Sequence, residues 1–125
     1  KTMAQKARDI LESIGAQIDP EHKLKDLGIA NKHLVAIARA LMQDPKVLLL
    51  DEPSAGLSPL FVDTLFQSIA ETRKEKGLTI VLAEQNAVKT LEIADRVMVL
   101  SLGEMHLLKP RAELEMSDIT AAYHI

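Results

Sequence analysis

The chain has 125 residues and a formal net charge of -3, with 47% apolar and 26% charged residues. That is enough for one domain of ordinary globular composition, and it excludes a broad basic face for nucleic acid. The absence of cysteine excludes a disulfide framework, a thiolate zinc site and a cysteine nucleophile, and fits a reducing cytoplasm.

No apolar run reaches the roughly 18–20 residues that span a bilayer. The first residues, Lys1-Thr2-Met3-Ala4-Gln5-Lys6, lack the apolar stretch of a signal peptide. Any membrane connection is therefore expected to run through a partner. Phe61, Phe66 and Tyr123 are the only aromatic residues. A core of Leu, Ile, Val and Ala suits buried parallel strands and the helices that cover them.

In chain order, Ala4, Ala7, Ile10, Leu11 and Ile14 recur at helical spacing, and Gly15 follows as a stop, which predicts a helix over 3–14. Residues 16–26 are polar, contain Asp19-Pro20 and read as a loop. A second helix is predicted over 30–43, with Leu34, Ile37, Ala38 and Leu41 on one face. Asp44-Pro45 ends it, because proline disfavours helix in the residue before it. Residues 46–51 form a continuous apolar run closing on an acid, the pattern of a strand buried on both faces. Pro59 opens a third helix over about 60–75, with a stripe of Val62, Leu65, Phe66 and Ile69 and a stop at Gly77. Residues 78–83 read as a second buried strand, 87–94 as a short helix and 96–101 as a third strand. Ser101-Leu102-Gly103 turns the chain into 104–108, and Pro110 starts a last helical turn or two. Strands alternating with helices imply an α/β fold with a parallel sheet. Two helices before the first strand are an unusual beginning for such a domain, so the start is expected to cut through something larger.

Two acids, Asp51 and Glu52, stand at the C-terminal end of the first strand, with Pro53 turning the chain after them. Open α/β sheets bind ligands outside the carboxyl ends of their strands. An acid there can hold Mg²⁺, and a second can orient and deprotonate a water. A buried strand ending in two solvated acids gives the same pattern. From this hexapeptide alone the two readings stand level.

The neighbourhood separates them. Residues 34–41, Leu-Val-Ala-Ile-Ala-Arg-Ala-Leu, are followed at fixed distance by Asp44-Pro45-Lys46, the strand, and Asp51-Glu52-Pro53-Ser54-Ala55-Gly56-Leu57-Ser58-Pro59. This stretch resembles the ATP-binding-cassette (ABC) transporter ATPases without a gap over 34–59. The rest of the chain fits in register, as the C-terminal half of that nucleotide-binding domain. The resemblance implies a P-loop NTPase-like parallel sheet with flanking helices, in a partial domain that lacks the Walker A half. Residues 1–45 would belong to the helical signature subdomain and 46–125 to the ATPase core.

By the same resemblance Asp51 is the Walker B residue for Mg²⁺, and Glu52 is the general base. Ala55, Gly56, Leu57 and Ser58 form the D-loop that meets a partner subunit, with Ser58 where the family often has Asp. Gln85 stands where many members carry a switch histidine. An amide can donate to a phosphate oxygen but does not titrate; the plain alternative is a loop residue without a ligand. Glu84-Gln85-Asn86 and Glu52-Pro53-Ser54-Ala55-Gly56-Leu57 are similar to the branched-chain amino-acid importer branch. Leu27, Gly28, Ile29, Ala30 and Asn31 align with the signature loop Leu-Ser-Gly-Gly-Gln, which grips ATP bound to the other subunit. Here the serine is replaced by glycine, and two glycine positions carry side chains that hinder close approach of backbone to phosphate. This segment either binds ATP weakly in trans through its helix N-terminus or is a plain helix entry.

A P-loop needs Gly-x-x-x-x-Gly-Lys-Ser/Thr. Gly15, Gly28, Gly56, Gly77 and Gly103 are the only glycines, no two are five apart, and none precedes a lysine. The chain alone is therefore expected to be inactive. His22, His33, His106 and His124 show no metal spacing and read as surface residues. Arg73-Lys74-Glu75-Lys76 reads as a solvated cluster at a helix end, and Arg39 as a helix-surface residue or one partner of a structural ion pair.

The resemblance implies the ATP-hydrolysing subunit of an importer of branched-chain or related amino acids. It would use ATP and Mg²⁺, pair with a second ABC ATPase subunit (as homo- or heterodimer), and dock on integral membrane permease subunits. It would sit peripherally on the cytoplasmic face of the inner membrane, and no nucleic acid is expected. The missing P-loop and altered signature leave room for a non-catalytic or regulatory fragment docking on a complete subunit. A soluble ABC-type ATPase is a further alternative, against which the Glu-Gln-Asn segment argues mildly.

Overall fold

In the computed structural model, which describes residues 2–123, nine regular elements follow one another much as the sequence predicts. They are α1 (Met3–Ser13), α2 (Ile29–Leu41), β1 (Val47–Asp51), α3 (Pro59–Lys76), β2 (Thr79–Ala83), α4 (Ala87–Ile93), β3 (Arg96–Ser101), β4 (Glu104–Pro110) and α5 (Met116–Tyr123). Short 3₁₀ turns occupy Leu24–Asp26 and Arg111–Glu113. His124 lies outside the described residues. The chain forms two compact units, Lys1–Asn86 and Ala87–Ile125.

In the first unit, β1 and β2 pair in parallel, with Leu49 beside Val81 and Asp51 beside Ala83. Leu11 and Ile14 from the first helical segment, Ile37, Ala38 and Leu41 of α2, Leu48 and Leu50 of β1, and Leu65, Phe66 and Ile69 of α3 are buried. This core is built from the apolar stripes read in the sequence. Sequence signals also set the helix ends. Thr2 Oγ1 accepts from Gln5 N and caps α1, while Pro59 occupies the first turn of α3 and needs no amide partner there. Gly77 closes α3 in a left-handed conformation, φ 62. Asp44, at φ 50, turns the chain between α2 and β1.

One expectation is corrected. β1 is not buried on both faces. Its residues alternate, with Leu48 and Leu50 inside but Val47 58% and Leu49 70% exposed. Val81 of β2 continues the exposed face at 48%. The helices of this unit bury one side of the two strands, and period-2 geometry leaves alternate residues on the other.

In the second unit, β3 and β4 form an antiparallel hairpin. Leu102 (φ 50) and Gly103 (φ 82) make its tight turn, the double positive-φ geometry that matches strand twist. A register shift between Val99 and Leu100 marks a bulge. Leu91, Leu114 and Ile119 form the core, with Val97 and Leu107 against it. Arg111 pins the chain locally: its Nε donates to Leu91 O at 3.0 Å and its own amide donates to Asp95 O at 2.8 Å. Asp118 sits in the first turn of α5, accepts from Glu115 N at 3.0 Å and pairs with Lys109 at 3.0 Å. The Glu115 amide, with Lys109 beside it, holds the Asp118 carboxyl below the usual carboxylate value.

Candidate functional site

The site forms where β1 and β2 end side by side. Asp51 closes β1 and its ladder partner Ala83 closes β2. Glu52 N then donates to Ala83 O at 2.8 Å, which carries the ladder one bond past the strand. This holds Glu52 at the carboxyl edge of the pair, where α/β folds bind ligands. The backbone bends sharply at this point. Glu52 has φ 42, a left-handed value that costs a residue with a Cβ about 1 kcal/mol or more. Its carbonyl accepts from Ala55 N at 3.0 Å, closing a turn over Pro53 and Ser54.

Side chains brace the same turn. Gln85 Nε2 donates to Glu52 Oε1 at 2.7 Å, so the two residues expected to be catalytic meet directly across 33 positions of sequence. A bond from an amide to a carboxylate is charge-assisted and stronger than one between neutral groups. Glu84, one residue past β2, accepts from Ser54 N at 2.9 Å through Oε1 and from Asn86 N at 3.4 Å through Oε2. His33 in α2 reaches Pro53 O with Nδ1 at 2.6 Å.

The segment 27–31 forms the entry to α2, which begins one residue before the predicted start. Gly28, in extended conformation, is the N-cap of α2, so Ile29, Ala30 and Asn31 make its first turn. The amides of that turn have no partner within the helix. A Cβ placed on Gly28 would meet nothing within 4 Å. Among Ala55, Gly56, Leu57 and Ser58, Ser58 is the N-cap residue of α3 without a side-chain cap bond, and Gly56 has φ 73. A Cβ on Gly56 would stand 3.5 Å from Ile29 Cδ1, so the signature-like segment and the D-loop-like segment come near each other at these two residues.

Asp51 is exposed at the strand end. Among the described residues no group of three or more His, Asp or Glu could hold a metal by itself. One carboxylate still fits Mg²⁺, which keeps several waters and takes its remaining ligands from phosphate.

Sequence reasoning missed two members of this cluster. His33 was expected at the surface but is half-buried and bonded. Glu84 is the register counterpart of Glu52, each following the last paired residue of its strand. The strand-end criterion that singled out Asp51 and Glu52 applies to it as well.

The ABC transporter family matches residues 2–55, which run from α1 through the turn after Glu52. The chain is 42% identical over 105 residues to a ribose import ATP-binding protein, RbsA 1, of Agrobacterium fabrum. It is 44% identical over 85 residues to the high-affinity branched-chain amino acid transport ATP-binding protein BraG of Pseudomonas aeruginosa. This chain belongs to the ABC transporter ATP-binding family. Among solved structures it superposes on the ADP conformation of an ATP-binding cassette of an ABC transporter, with TM-score 0.80 and 28% identity over 96% of its length. The chain is a partial cassette relative to these proteins. It covers 84% of itself but 20% of the ribose protein, 68% of itself and 36% of BraG, and 49% of the solved cassette. The fold expected of the family, an α/β domain with a parallel sheet and flanking helices, is the fold observed, with β1 and β2 as the parallel pair and the third strand, β3, paired antiparallel with β4. No helix among the described residues is long and apolar enough to cross a membrane.

Proposed function

We propose that the protein carrying this segment hydrolyses ATP as the motor subunit of an importer, with Glu52 as general base. The observation that carries this reading is the Gln85–Glu52 bond at 2.7 Å on the carboxyl edge of β1 and β2. It fixes one carboxylate oxygen and leaves Oε2 to accept a proton from a water held against a phosphate. Phosphoryl transfer asks a protein chiefly for positioning and electrostatics, and this turn supplies the positioning. Asp51 would hold Mg²⁺, which, when bound with the nucleotide, offsets charge on the phosphates. The loop that cradles the phosphates in cis would come from chain outside these 125 residues, since no Gly-x-x-x-x-Gly-Lys-Ser/Thr lies within them.

Leu27–Asn31 and Ala55–Ser58 are proposed to face a second ATP-binding subunit. The nearness of Ile29 to Gly56 supports placing both segments on one surface. Residues 1–45 would belong to the helical part of the whole domain and 46–125 to its core. The subunit would act at the cytoplasmic face of the membrane on permease subunits. Branched-chain or related amino acids are the proposed cargo, supported by Glu84-Gln85-Asn86 and the similarity to BraG. A sugar is the second reading, favoured by the longer match to a ribose import protein. Stimulation of ATPase activity in the reconstituted transporter by binding protein loaded with leucine or with ribose separates the two.

Glu52→Gln in the complete protein tests the base. Gln keeps an oxygen for Gln85 to bond, so the geometry persists while the proton acceptor is lost. Turnover should fall by about 10²–10⁴-fold with ATP binding retained. Full turnover in that variant would sink the assignment.

A further inference from the structure

We propose that His33 and Glu84 are positioning residues that clamp one peptide group, the Pro53–Ser54 amide, from both sides and thereby set the Glu52 carboxylate. This rests on the reading of Glu52 as general base. The carbonyl of Pro53 and the amide N–H of Ser54 are the two ends of a single planar unit. His33 Nδ1 holds the carbonyl at 2.6 Å and Glu84 Oε1 holds the N–H at 2.9 Å. The two grips come from separate elements. His33 lies in the second turn of α2, and Glu84 lies in the turn leaving β2. A plane fixed at both ends cannot flip, and Glu52 is the residue immediately N-terminal to that plane.

Glu52 needs such a clamp. Its φ of 42 is unfavourable for a side chain, and such conformations persist only where the surroundings over-determine them. Backbone bonds to Ala83 and Ala55 hold it on two sides. Neither of them fixes the orientation of the turn's central peptide. Pro53 is buried and Ser54 half-buried, so an unpartnered carbonyl or amide there would be costly.

The chemistry of the His33 bond sets its requirements. A carbonyl only accepts, so Nδ1 must carry the proton. Both the neutral Nδ1–H tautomer and the imidazolium satisfy this, and an Asn side chain can place its NH₂ near the same point. Glu84 needs only an acceptor oxygen for Ser54, which Gln also offers. The clamp has a second consequence. Ile29, one helical turn before His33, lies near Gly56 at the far end of the same loop, its Cδ1 3.5 Å from where a Cβ on Gly56 would stand. The first two turns of α2 thus bear on the loop at both Pro53 and Gly56. The segment proposed to meet nucleotide on a partner subunit is linked through His33 to the base of its own site.

The test uses the complete transporter and follows ATP hydrolysis, ATP binding and thermal unfolding. His33→Leu and Glu84→Ala should each lower kcat about 5–30-fold with KM for ATP within about twofold of the parent. His33→Asn and Glu84→Gln should recover kcat to within about threefold of the parent. Recovery by Asn and Gln, with kcat alone affected in Leu and Ala, supports the clamp. The proposal is overturned if His33→Leu and Glu84→Ala keep parental kcat. It is equally overturned if KM carries the loss, or if His33→Asn is as impaired as His33→Leu. Should either apolar variant fail to fold, the Asn and Gln variants decide, since impaired turnover in a folded His33→Asn protein refutes the donor role. Glu52→Gln, run alongside, separates this failure from failure of the base assignment, because only the latter leaves that variant fully active.

Discussion

Removing the amide that holds Glu52 should slow hydrolysis by a predictable and modest amount. Gln85 Nε2 lies 2.7 Å from Glu52 Oε1. Hydrogen bonds to charged groups contribute about 1.5–3 kcal/mol in protected sites. Both side chains are exposed here, so solvent competes and about 1 kcal/mol is the better figure. At 1.36 kcal/mol per decade, Gln85→Ala should cut kcat about fivefold. That is far short of the loss expected when Glu52, the proposed base, is removed. Steady-state phosphate release by the complete protein measures it, with Gln85→Ala and Glu52→Gln combined in a double-mutant cycle. In the Glu52→Gln background Gln85→Ala should have no further effect, because the bond then orients nothing that accepts a proton. Gln85→His should restore much of the rate and introduce a pH dependence near pH 6–7 that the parent lacks, since imidazole titrates there and an amide does not. The same fractional loss in both backgrounds, or a loss from Gln85→Ala as large as that from Glu52→Gln, would refute the claim that Gln85 acts through Glu52.

Two further outcomes concern stability. Thr72 of α3 is 3% exposed, and its Oγ1 has no hydrogen-bond partner among the described residues. It faces a small cleft with Ile14, Ile37, Leu48 and Ile69, so Thr72→Val, which swaps the hydroxyl for a methyl of similar shape, should stabilise by about 1 kcal/mol in chemical denaturation. A loss of stability would mean that the hydroxyl is satisfied in solution. Asp118 is held below the usual carboxylate value by the Glu115 amide and Lys109, so its folded form stays ionised to lower pH than its unfolded form. Its stabilisation is therefore complete above the unfolded value of about 3.9 and is lost as pH falls through the lower folded value. Asp118→Asn should lower Tm above about pH 4, and the two Tm curves should converge in stronger acid.

What the sequence made legible follows from what acts locally. Pro59, Gly77, Asp44-Pro45 and the apolar stripes placed the helices to within one or two residues, because caps, stops and periodicity are set by neighbours in the chain. Asp51 and Glu52 were visible because a strand end and its acids are also adjacent. The Gln85–Glu52 bond and the Glu84–Ser54 bond span 33 and 30 residues. They depend on the β1–β2 register, which no local pattern specifies. His33 was read as a surface residue for the same reason. Its partner is a backbone carbonyl twenty residues away, and a carbonyl leaves no trace in residue type. The segment 27–31 aligns with a signature loop, and the helix after it is predicted from residue 30, because a glycine without a capping side chain gives no clear start signal. Gly28 nevertheless caps α2 through backbone conformation alone, with φ -64 and ψ 163.

The misreading of β1 carries its own consequence. A run of Val47, Leu48, Leu49 and Leu50 is the composition of a strand covered on both faces, yet Leu49 is 70% exposed and stands beside Val81, itself 48% exposed. Fully burying one such side chain is worth about 1.5–3 kcal/mol. Two neighbours on an uncovered face, on strands that are also unpaired at their outer edges in the β1–β2 sheet, favour contact with another apolar or strand surface. The solved cassette it superposes on is about twice as long, with this chain covering 49% of it. Residues 1–125 expressed alone should therefore self-associate, with a mass by light scattering that rises with concentration. Leu49→Lys together with Val81→Lys should reduce that association without disturbing Leu48 and Leu50 on the buried side. A monodisperse monomer for the parent, or double-lysine variants that associate as strongly, would show that the exposed face is not what drives it.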